Sequence, residues 1–268
     1  ALDFRAVGHR VYGISRSQQT CDRAIQNQVV DVAGLHPQIL KGVDVVFLCP
    51  PIGAIGSAFA VVQPHLSSKT VVTDVGSVKG DIVPTLHAQW PHFIGGHPMA
   101  GTAQSGIEAA QSCLFQGRPY VLTPVVNTSA TAVETMTSLV HDLGANLHVA
   151  TPADHDRAVA LISHLPIIIS AALISACVES NGSAAGLLAQ ALASSGFRDT
   201  SRVGGGNPEL GRMVAQFNQS ELLRSLDVYE RKLQDLRALI LDQSWEGLEA
   251  QLAATQQSRP SFVETFDQ

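Results

Sequence analysis

Residues 93–102, Phe-Ile-Gly-Gly-His-Pro-Met-Ala-Gly-Thr, contain the histidine whose surroundings are best suited to chemistry. Gly95 and Gly96 carry no Cβ, so the backbone and a ligand can approach one another closely there. Pro98 fixes the chain direction after His97 and biases His97 itself toward an extended conformation. We therefore expect His97 at a strand end, where α/β folds bind their ligands. The alternative for this segment alone is a glycine-rich turn with an incidental histidine.

Two further polar clusters follow predicted strands, Ser15-Arg16-Ser17 and Asp74-Val-Gly-Ser-Val-Lys79. The carboxyl ends of parallel strands share one edge of a sheet, so all three clusters are expected to converge on a ligand site. Taken singly, Asp74 would be a helix cap and Lys79 a solvated surface charge.

The Ser15-Arg16-Ser17 cluster also predicts which dinucleotide would bind. At this position of a dinucleotide-binding fold an acidic residue selects NAD, whereas an arginine accommodates the 2′-phosphate of NADP. Here the cluster has no acid, and an arginine fork flanked by two hydroxyl groups suits a phosphate. The sequence therefore favours NADP.

Strand and helix patterns alternate through residues 1–150 and predict a parallel, doubly wound α/β sheet. The apolar runs at 43–49 and 70–75 are typical of strands that are buried on both faces. No Gly-x-Gly-x-x-Gly follows a first strand, and the first residues of the chain already show the pattern of the first helix. We expect a central first strand to lie upstream, which would leave a gap in the sheet of the present chain; a different fold is the alternative.

Residues 151–268 show helical patterns and no strand pattern. The segment 167–178 is almost wholly apolar, which predicts a helix that is buried on all sides, and Pro166 is expected to kink or restart it. An apolar seam recurs every three or four residues and indicates an intramolecular bundle face or, as a second possibility, a homodimer. Its members are Leu222, Leu226, Tyr229, Leu233, Leu236 and Ile240.

The loop 194–208 lies between these helices and contains Asp199 and Arg202, which are three residues apart. In a helical turn that spacing lets the acid orient the guanidinium, and an oriented guanidinium suits a substrate carboxylate. A solvated linker is the alternative for this polar loop. His164 precedes Leu165-Pro166; it is either a hydrogen-bonded core histidine or a side chain that faces ligand at the kink.

The composition limits the class of protein. With 45% apolar and 15% charged residues, a net charge of −6 and a pI near 5.9, the chain is globular and has no basic surface for nucleic acid or anionic membrane. No uninterrupted apolar run reads as long enough to span a bilayer. Four scattered cysteines without Cys-x-x-Cys indicate buried, reduced thiols in a cytoplasmic protein.

These motifs together resemble the prephenate/arogenate dehydrogenase family of tyrosine biosynthesis, with the short cyanobacterial arogenate dehydrogenases as the closest match. The resemblance covers nearly the whole chain in order. It is carried by Asp-Val-Gly-Ser-Val-Lys (74–79), Gly-Gly-His-Pro-Met-Ala-Gly-Thr (95–102), Ser-His-Leu-Pro (163–166) and Gly-Phe-Arg-Asp-Thr-Ser-Arg (196–202).

The resemblance implies a Rossmann-like NADP-binding domain over 1–150 and a helical substrate and dimerisation domain over 151–268. The implied reaction is oxidative decarboxylation of arogenate to tyrosine, with His97 as the base on the ring hydroxyl and Ser77 positioning that hydroxyl and the nicotinamide. Substrate contacts would come from Thr102, His164 and Arg202, with Asp199 behind Arg202. The predicted cofactor site comprises Ser15, Arg16, Ser17, Cys49, Pro50, Pro51, Val75, Gly76 and Ser77.

The chain departs from the family pattern in its missing glycine-rich loop and at Ala103, where several prephenate-using relatives have a glutamate. Prephenate dehydrogenase and a catalytically inactive binding protein are therefore the alternative functions. A β-hydroxyacid dehydrogenase is disfavoured because residues 151–200 contain no lysine, and a metal hydrolase because the histidines form no zinc signature.

Overall fold

Short β-branched and aromatic runs form the strands of the computed structural model, which describes residues 1–102 and 106–263. The chain divides into a first compact unit, residues 1–159 with 206–218, and a second, residues 160–205 with 219–268. The first unit therefore extends past residue 150, the boundary predicted from the sequence, and also includes residues 206–218 of the helical half. The strands are β1 (Tyr12–Ile14), β2 (Val32–Gly34), β3 (Val45–Leu48), β4 (Val71–Asp74), β5 (Phe93–Pro98), β6 (Pro119–Thr123) and β7 (Asn146–Val149).

The helices alternate with these strands and then follow them without interruption. In chain order they are α1 (Leu2–Ala6), α2 (Gln18–Gln26), α3 (Ile55–Val62), α4 (Ile82–His87), α5 (Ala130–Asp142), α6 (Pro152–Val159), α7 (Leu165–Glu179), α8 (Ala184–Leu192), α9 (Ser195–Ser201), α10 (Pro208–Phe217), α11 (Gln219–Leu241), α12 (Trp245–Ser258) and α13 (Pro260–Val263).

Local capping explains where two of these helices begin. The Ser17 hydroxyl accepts a hydrogen bond from the Thr20 amide, and the Ser129 hydroxyl accepts one from the Ala132 amide. Gly144 follows α5 with φ +65°, a left-handed conformation that glycine adopts without strain. The two serine caps therefore mark the starts of α2 and α5, and Gly144 marks the end of α5.

The described strands form two sheets. β1 pairs with β2 in parallel, and β3-β4-β5-β6-β7 form a second sheet in that order. The prediction of a fully parallel sheet was wrong, because β6 runs antiparallel to β5 while the other pairs are parallel. A parallel neighbour needs a crossover, usually a helix. The described part of the β5–β6 connection contains only the 3-10 turn Ile107–Ala109.

Helices cover both faces of the larger sheet. Val72 and Phe93 pack with Phe59 and Leu86 on one face. The residues next to them in sequence, Val71 and Ile94, belong to the cluster on the other face, together with Met136 and Val140 of α5. Successive strand side chains point to opposite faces, so the continuous apolar runs give this two-sided burial.

The second unit is helical in every described residue that has regular structure. Ala160–His164 forms a π-helical turn directly before α7. Pro166 has no N–H and its ring clashes with the carbonyl four residues earlier, so a widened turn lets the helix continue. Pro166 thus distorts the helix, as predicted, but does not end it.

The prediction that 167–178 is buried on all sides was wrong for the single chain. In α7 only Leu165 and Ser170 are buried, and Val178 is 54% exposed. The apolar seam of α11 likewise leaves Tyr229, Leu233 and Ile240 exposed instead of packing them inside a bundle.

The helical stretch Pro152–Glu179 is long and apolar enough, by length and composition alone, to cross a membrane, contrary to the sequence prediction. One such helix is weak support for a span, because the core helix of a soluble protein can have the same length and composition. The cysteines also differ from expectation: all four are free, but only Cys21 is buried, while Cys49, Cys113 and Cys177 are exposed.

Candidate functional site

A buried ion pair joins the ends of β4 and β5. Lys79 Nζ contacts the Asp74 carboxylate and donates a hydrogen bond to Gly96 O at 2.9 Å. Asp74 also accepts from Gly76 N at 2.9 Å and from Gly96 N at 3.3 Å. Both charged side chains are fully buried, so the expectation of a helix cap and a solvated lysine was wrong. Burial lowers the pKa of the Lys79 ammonium, and the charge of Asp74 opposes that shift.

Gly95 and Gly96 are required by protein packing at this position. A Cβ on Gly95 would lie 2.3 Å from Thr123 Oγ1 and 2.5 Å from Val83 Cγ2. A Cβ on Gly96 would lie 2.8 Å from Asp74 O. The close approach that the paired glycines predict is thus made by neighbouring strands and a helix, with no ligand needed to explain it.

His97 lies in β5, opposite Val121 of β6, and only 9% of it is exposed. Its Nδ1 is 2.8 Å from His155 Nε2, and the two rings meet edge to face with centroids 5.1 Å apart. His155 Nδ1 is in turn 2.7 Å from Asp156 Oδ1. His97, His155 and Asp156 therefore form a hydrogen-bonded chain from β5 to α6.

The Asp156 carboxylate is held by backbone amides of the loop after β4. Oδ1 accepts from Lys79 N at 2.7 Å and Oδ2 accepts from Gly80 N at 2.6 Å. The backbone carbonyl of Asp156 accepts from Asn218 Nδ2 at 2.8 Å, which joins α6 to the end of α10. One carboxylate thus fixes both the histidine chain and the loop that contains Ser77.

Sequence reasoning missed His155, Asp156 and Asn218. None of these three residues received a role from the sequence alone. The signal that was present is a His-Asp pair in the first turns of α6, next to apolar residues that α6 buries, such as Val159. A charged residue on a buried helix face is rarely left without a partner.

The predicted cofactor residues follow the carboxyl ends of β1, β3 and β4. The loop after β1 is closed by Ser17 N donating to Ser15 Oγ at 3.2 Å, and Arg16 is exposed between them. Among the described residues, none forms an ion pair with Arg16. An exposed guanidinium beside hydroxyl groups fits a phosphate group. Cys49, Pro50 and Pro51 follow β3, and Val75, Gly76 and Ser77 follow β4.

The predicted substrate residues of the helical half belong to the second unit. His164 is buried in the π-helical turn, and Arg202 is exposed at the end of α9. Asp199 does not orient Arg202 as predicted, because it pairs with its neighbour Arg198 at 3.0 Å. In the first unit Thr102 is exposed, and the departure at Ala103 lies outside the described residues.

Two family models match the chain. One is described as prephenate dehydrogenase, nucleotide-binding domain, and matches residues 1–149; the other is described as prephenate dehydrogenase, dimerization domain, and matches residues 151–254. A cyclohexadienyl dehydrogenase from Zymomonas mobilis is 31% identical over 85% of this chain and 78% of its own length. A prephenate dehydrogenase from Bacillus subtilis is 28% identical over 90% of this chain, which spans 66% of that protein.

Solved structures give the same result. Synechocystis arogenate dehydrogenase superposes with a TM-score of 0.89 at 48% identity, covering 97% of this chain and 94% of that one. Prephenate dehydrogenase from A. aeolicus, in complex with hydroxyphenyl propionate and NAD+, also gives 0.89, at 25% identity and with 97% and 92% coverage. With both halves matched by its domain models, this chain belongs to the prephenate/arogenate dehydrogenase family of oxidoreductases.

Proposed function

We propose that this protein oxidatively decarboxylates arogenate to tyrosine with NADP as hydride acceptor. The proposal rests on the placement of His97, which is nearly buried at the carboxyl end of β5 and is held there by a hydrogen bond. The 48% identity to an arogenate dehydrogenase favours arogenate over prephenate as substrate.

Because formation of the aromatic ring drives the reaction, the enzyme needs mainly a base and the correct orientation of the reactants. His97 would accept the proton of the ring hydroxyl at C4 while hydride leaves the same carbon. Loss of the C1 carboxylate as carbon dioxide then completes the aromatic ring. Ser77, in the loop that Asp74 and Asp156 anchor, would orient the hydroxyl for this transfer.

The exposed Arg16 favours NADP as the cofactor, since a guanidinium can form bidentate hydrogen bonds with the 2′-phosphate. When bound, the nicotinamide supplies the hydride acceptor. The strand-end residues Ser15–Ser17, Cys49–Pro51 and Val75–Ser77 would hold the dinucleotide. On the substrate side, the family resemblance supports Arg202 as the residue that binds a substrate carboxylate, and His164 and Thr102 as further substrate-binding residues.

The test is turnover of the purified protein with arogenate or prephenate, each offered with NADP or NAD. We expect the arogenate and NADP pair to give the highest kcat/KM, and a preference for prephenate would contradict the substrate assignment. His97→Asn should lower kcat by about 10²–10⁴-fold while NADP still binds. Unchanged kcat in His97→Asn would remove His97 from the mechanism.

The cofactor assignment has its own variant. Arg16→Ala should weaken NADP binding by roughly 10- to 100-fold, the loss expected for charge-assisted hydrogen bonds, and leave NAD binding within about threefold. Arg118→Ala, which removes another arginine of the first unit, is the matched control and should change neither. Equal losses for both dinucleotides would show that Arg16 does not read the 2′-phosphate.

We also propose that the protein is a homodimer whose interface covers the exposed apolar residues of α7 and α11. A single chain leaves these helices uncovered, and the second half matches a dimerization-domain model. A dimer accounts for the apolar stretch Pro152–Glu179 without a membrane and agrees with the predicted cytoplasmic location. Sedimentation equilibrium should give twice the chain mass of 28.3 kDa, and a monomer at micromolar concentration would contradict the proposal.

A further inference from the structure

We propose that His155 and Asp156 set the tautomer of His97 and hold its ring, so that Nε2 of His97 is the basic nitrogen. They are positioning residues, and their part in turnover rests on the function proposed above. The inference comes from the hydrogen-bonded chain between β5 and α6, in which His97 Nδ1 and both nitrogens of His155 have defined neighbours.

The positions of the protons follow from the acceptor at the end of the chain. A carboxylate only accepts hydrogen bonds, so the short contact of Asp156 Oδ1 with His155 Nδ1 places a hydrogen on that nitrogen. A neutral His155 then carries its lone pair on Nε2, which accepts from His97 Nδ1 at 2.8 Å. A neutral His97 with its hydrogen on Nδ1 has its lone pair on Nε2.

Asp156 is prevented from turning away. Its two oxygens accept from consecutive backbone amides, Lys79 N and Gly80 N, and the whole residue is nearly buried. Rotating the carboxylate toward another partner would leave the buried Lys79 N–H and the partly buried Gly80 N–H unsatisfied. The anchor of the chain is therefore main-chain geometry, which does not depend on a flexible side chain.

The same arrangement supports the protonated state of His97. Once Nε2 has taken a proton, the imidazolium still donates its Nδ1 hydrogen to His155, and the fixed negative charge lies one residue further along. Groups that orient a catalytic histidine and select its tautomer are worth orders of magnitude in other enzymes. We expect roughly a 10- to 100-fold loss of kcat on breaking the chain, with KM within about threefold.

The first readout needs no turnover. In the substrate-free protein, ¹⁵N chemical shifts of histidine side chains distinguish a hydrogen on Nδ1 from one on Nε2, and the His97→Asn variant identifies the His97 signals among the ten histidines. We expect His97 to carry its hydrogen on Nδ1. A hydrogen on Nε2 alone would overturn the proposal, whether or not the protein turns over arogenate.

The second readout compares variants of the link. His155→Leu removes the acceptor, so the His97 signals should move toward a mixture of tautomers and kcat should fall. His155→Gln keeps a carbonyl oxygen that can accept from His97 Nδ1, and it should recover most of the lost kcat. Unchanged kcat and unchanged shifts in His155→Leu would overturn the proposal.

Two further variants separate positioning from stability. His92→Leu is the matched control. It removes a histidine hydrogen bond of similar length, the 2.7 Å bond of His92 Nδ1 with Ser129 Oγ, that does not involve His97. It should lower the melting temperature without changing the His97 shifts or kcat. Gly80→Ala would place a Cβ 2.8 Å from Asp156 Oδ2 and displace the carboxylate without altering any titratable group.

We expect Gly80→Ala to move the His97 shifts in the same direction as His155→Leu, with a partial loss of kcat. If Gly80→Ala leaves the His97 signals in place, Asp156 does not set the tautomer. Wild-type protein without turnover but with the Nδ1 tautomer would contradict the proposed function and leave this inference standing.

Discussion

The ion pair between Asp74 and Lys79 can be tested by a double-mutant cycle of Asp74→Asn, Lys79→Met and both together. Both groups are fully buried, and between them they accept from or donate to Gly76 N, Gly96 N and Gly96 O. Each single variant leaves a buried charge without its counterion. The double variant leaves none.

The expected size follows from these contacts. Removing one partner of a buried pair costs about 3–5 kcal/mol of unfolding free energy, because the remaining charge is uncompensated. Asp74→Asn should be at the upper end, since its new NH2 group faces the amide of Gly76 or Gly96 and the ammonium. Lys79→Met should be at the lower end, since two backbone amides still stabilise Asp74. The double variant should cost about 4 kcal/mol, half of the roughly 8 kcal/mol sum.

Urea unfolding followed by tryptophan fluorescence is the assay. Trp90 packs on Phe59 in the core of the same unit, whereas Trp245 is exposed, so a Trp245→Phe background makes the signal specific. Lys232→Met is the matched control, because Lys232 pairs with Asp235 at 3.0 Å on the surface and should contribute less than about 1 kcal/mol. Additive single effects, within about 0.5 kcal/mol, would refute the buried pair as the source of the cost.

Two other substitutions test packing and pH dependence in the same unit. Burial raises the pKa of the Tyr120 hydroxyl above its unfolded value, so the folded state holds that proton longer and stability falls as pH rises through about 10. Tyr120→Phe should change the free energy of unfolding by less than about 1 kcal/mol at pH 7 and should reduce its fall at alkaline pH. Urea titrations at a series of pH values measure both effects. An unchanged pH dependence would show that Tyr120 is not its source. Gly95→Ala, whose Cβ would overlap Thr123 Oγ1, should cost about 1–3 kcal/mol of unfolding free energy in the same assay. Gly56→Ala in α3 is the control, because the space around Gly56 is open, and it should be neutral or stabilising. Equal effects of the two substitutions would contradict the packing argument.

Much of the first unit could be predicted because its signals are local. Apolar runs, the caps at Ser17 and Ser129, and the glycine after α5 each depend on a few neighbouring residues. The reversal of β6 depends on how the long β5–β6 connection returns to the sheet, which a periodicity does not record. The short strand β2 was missed for the same reason, since only its pairing with β1 defines it.

The candidate site was predictable where one motif carries it and unpredictable where two distant segments meet. His97, Asp74 and Lys79 were found because glycine and proline mark their strand ends. Their burial and pairing were not, since charge suggests solvent and only the packed sheet reverses that expectation. His155 and Asp156 lie 58 and 59 residues after His97, a separation at which no sequence pattern relates two side chains.

The helical half shows a different limit. Its apolar helices were correctly located, but sequence hydrophobicity does not state which atoms cover a side chain. Burial inside one chain, between two copies or in a membrane all require the same residues in α7 and α11. The exposed Val178 and Leu233 show that a single copy does not cover them, and the resulting interface proposal depends on that exposure.

The loop 75–80 is where these observations combine. Asp74 holds its beginning through the Gly76 amide, and Asp156 holds its end through the Lys79 and Gly80 amides. Asp74 also binds the amide of Gly96, directly before His97, while Asp156 binds the partner of His97. Asp74 therefore contacts both segments directly, and Asp156 contacts the loop directly and His97 through His155. A shift of either one must move Ser77 and His97 together, so variants of Asp74 should disturb the His97 environment as well as stability.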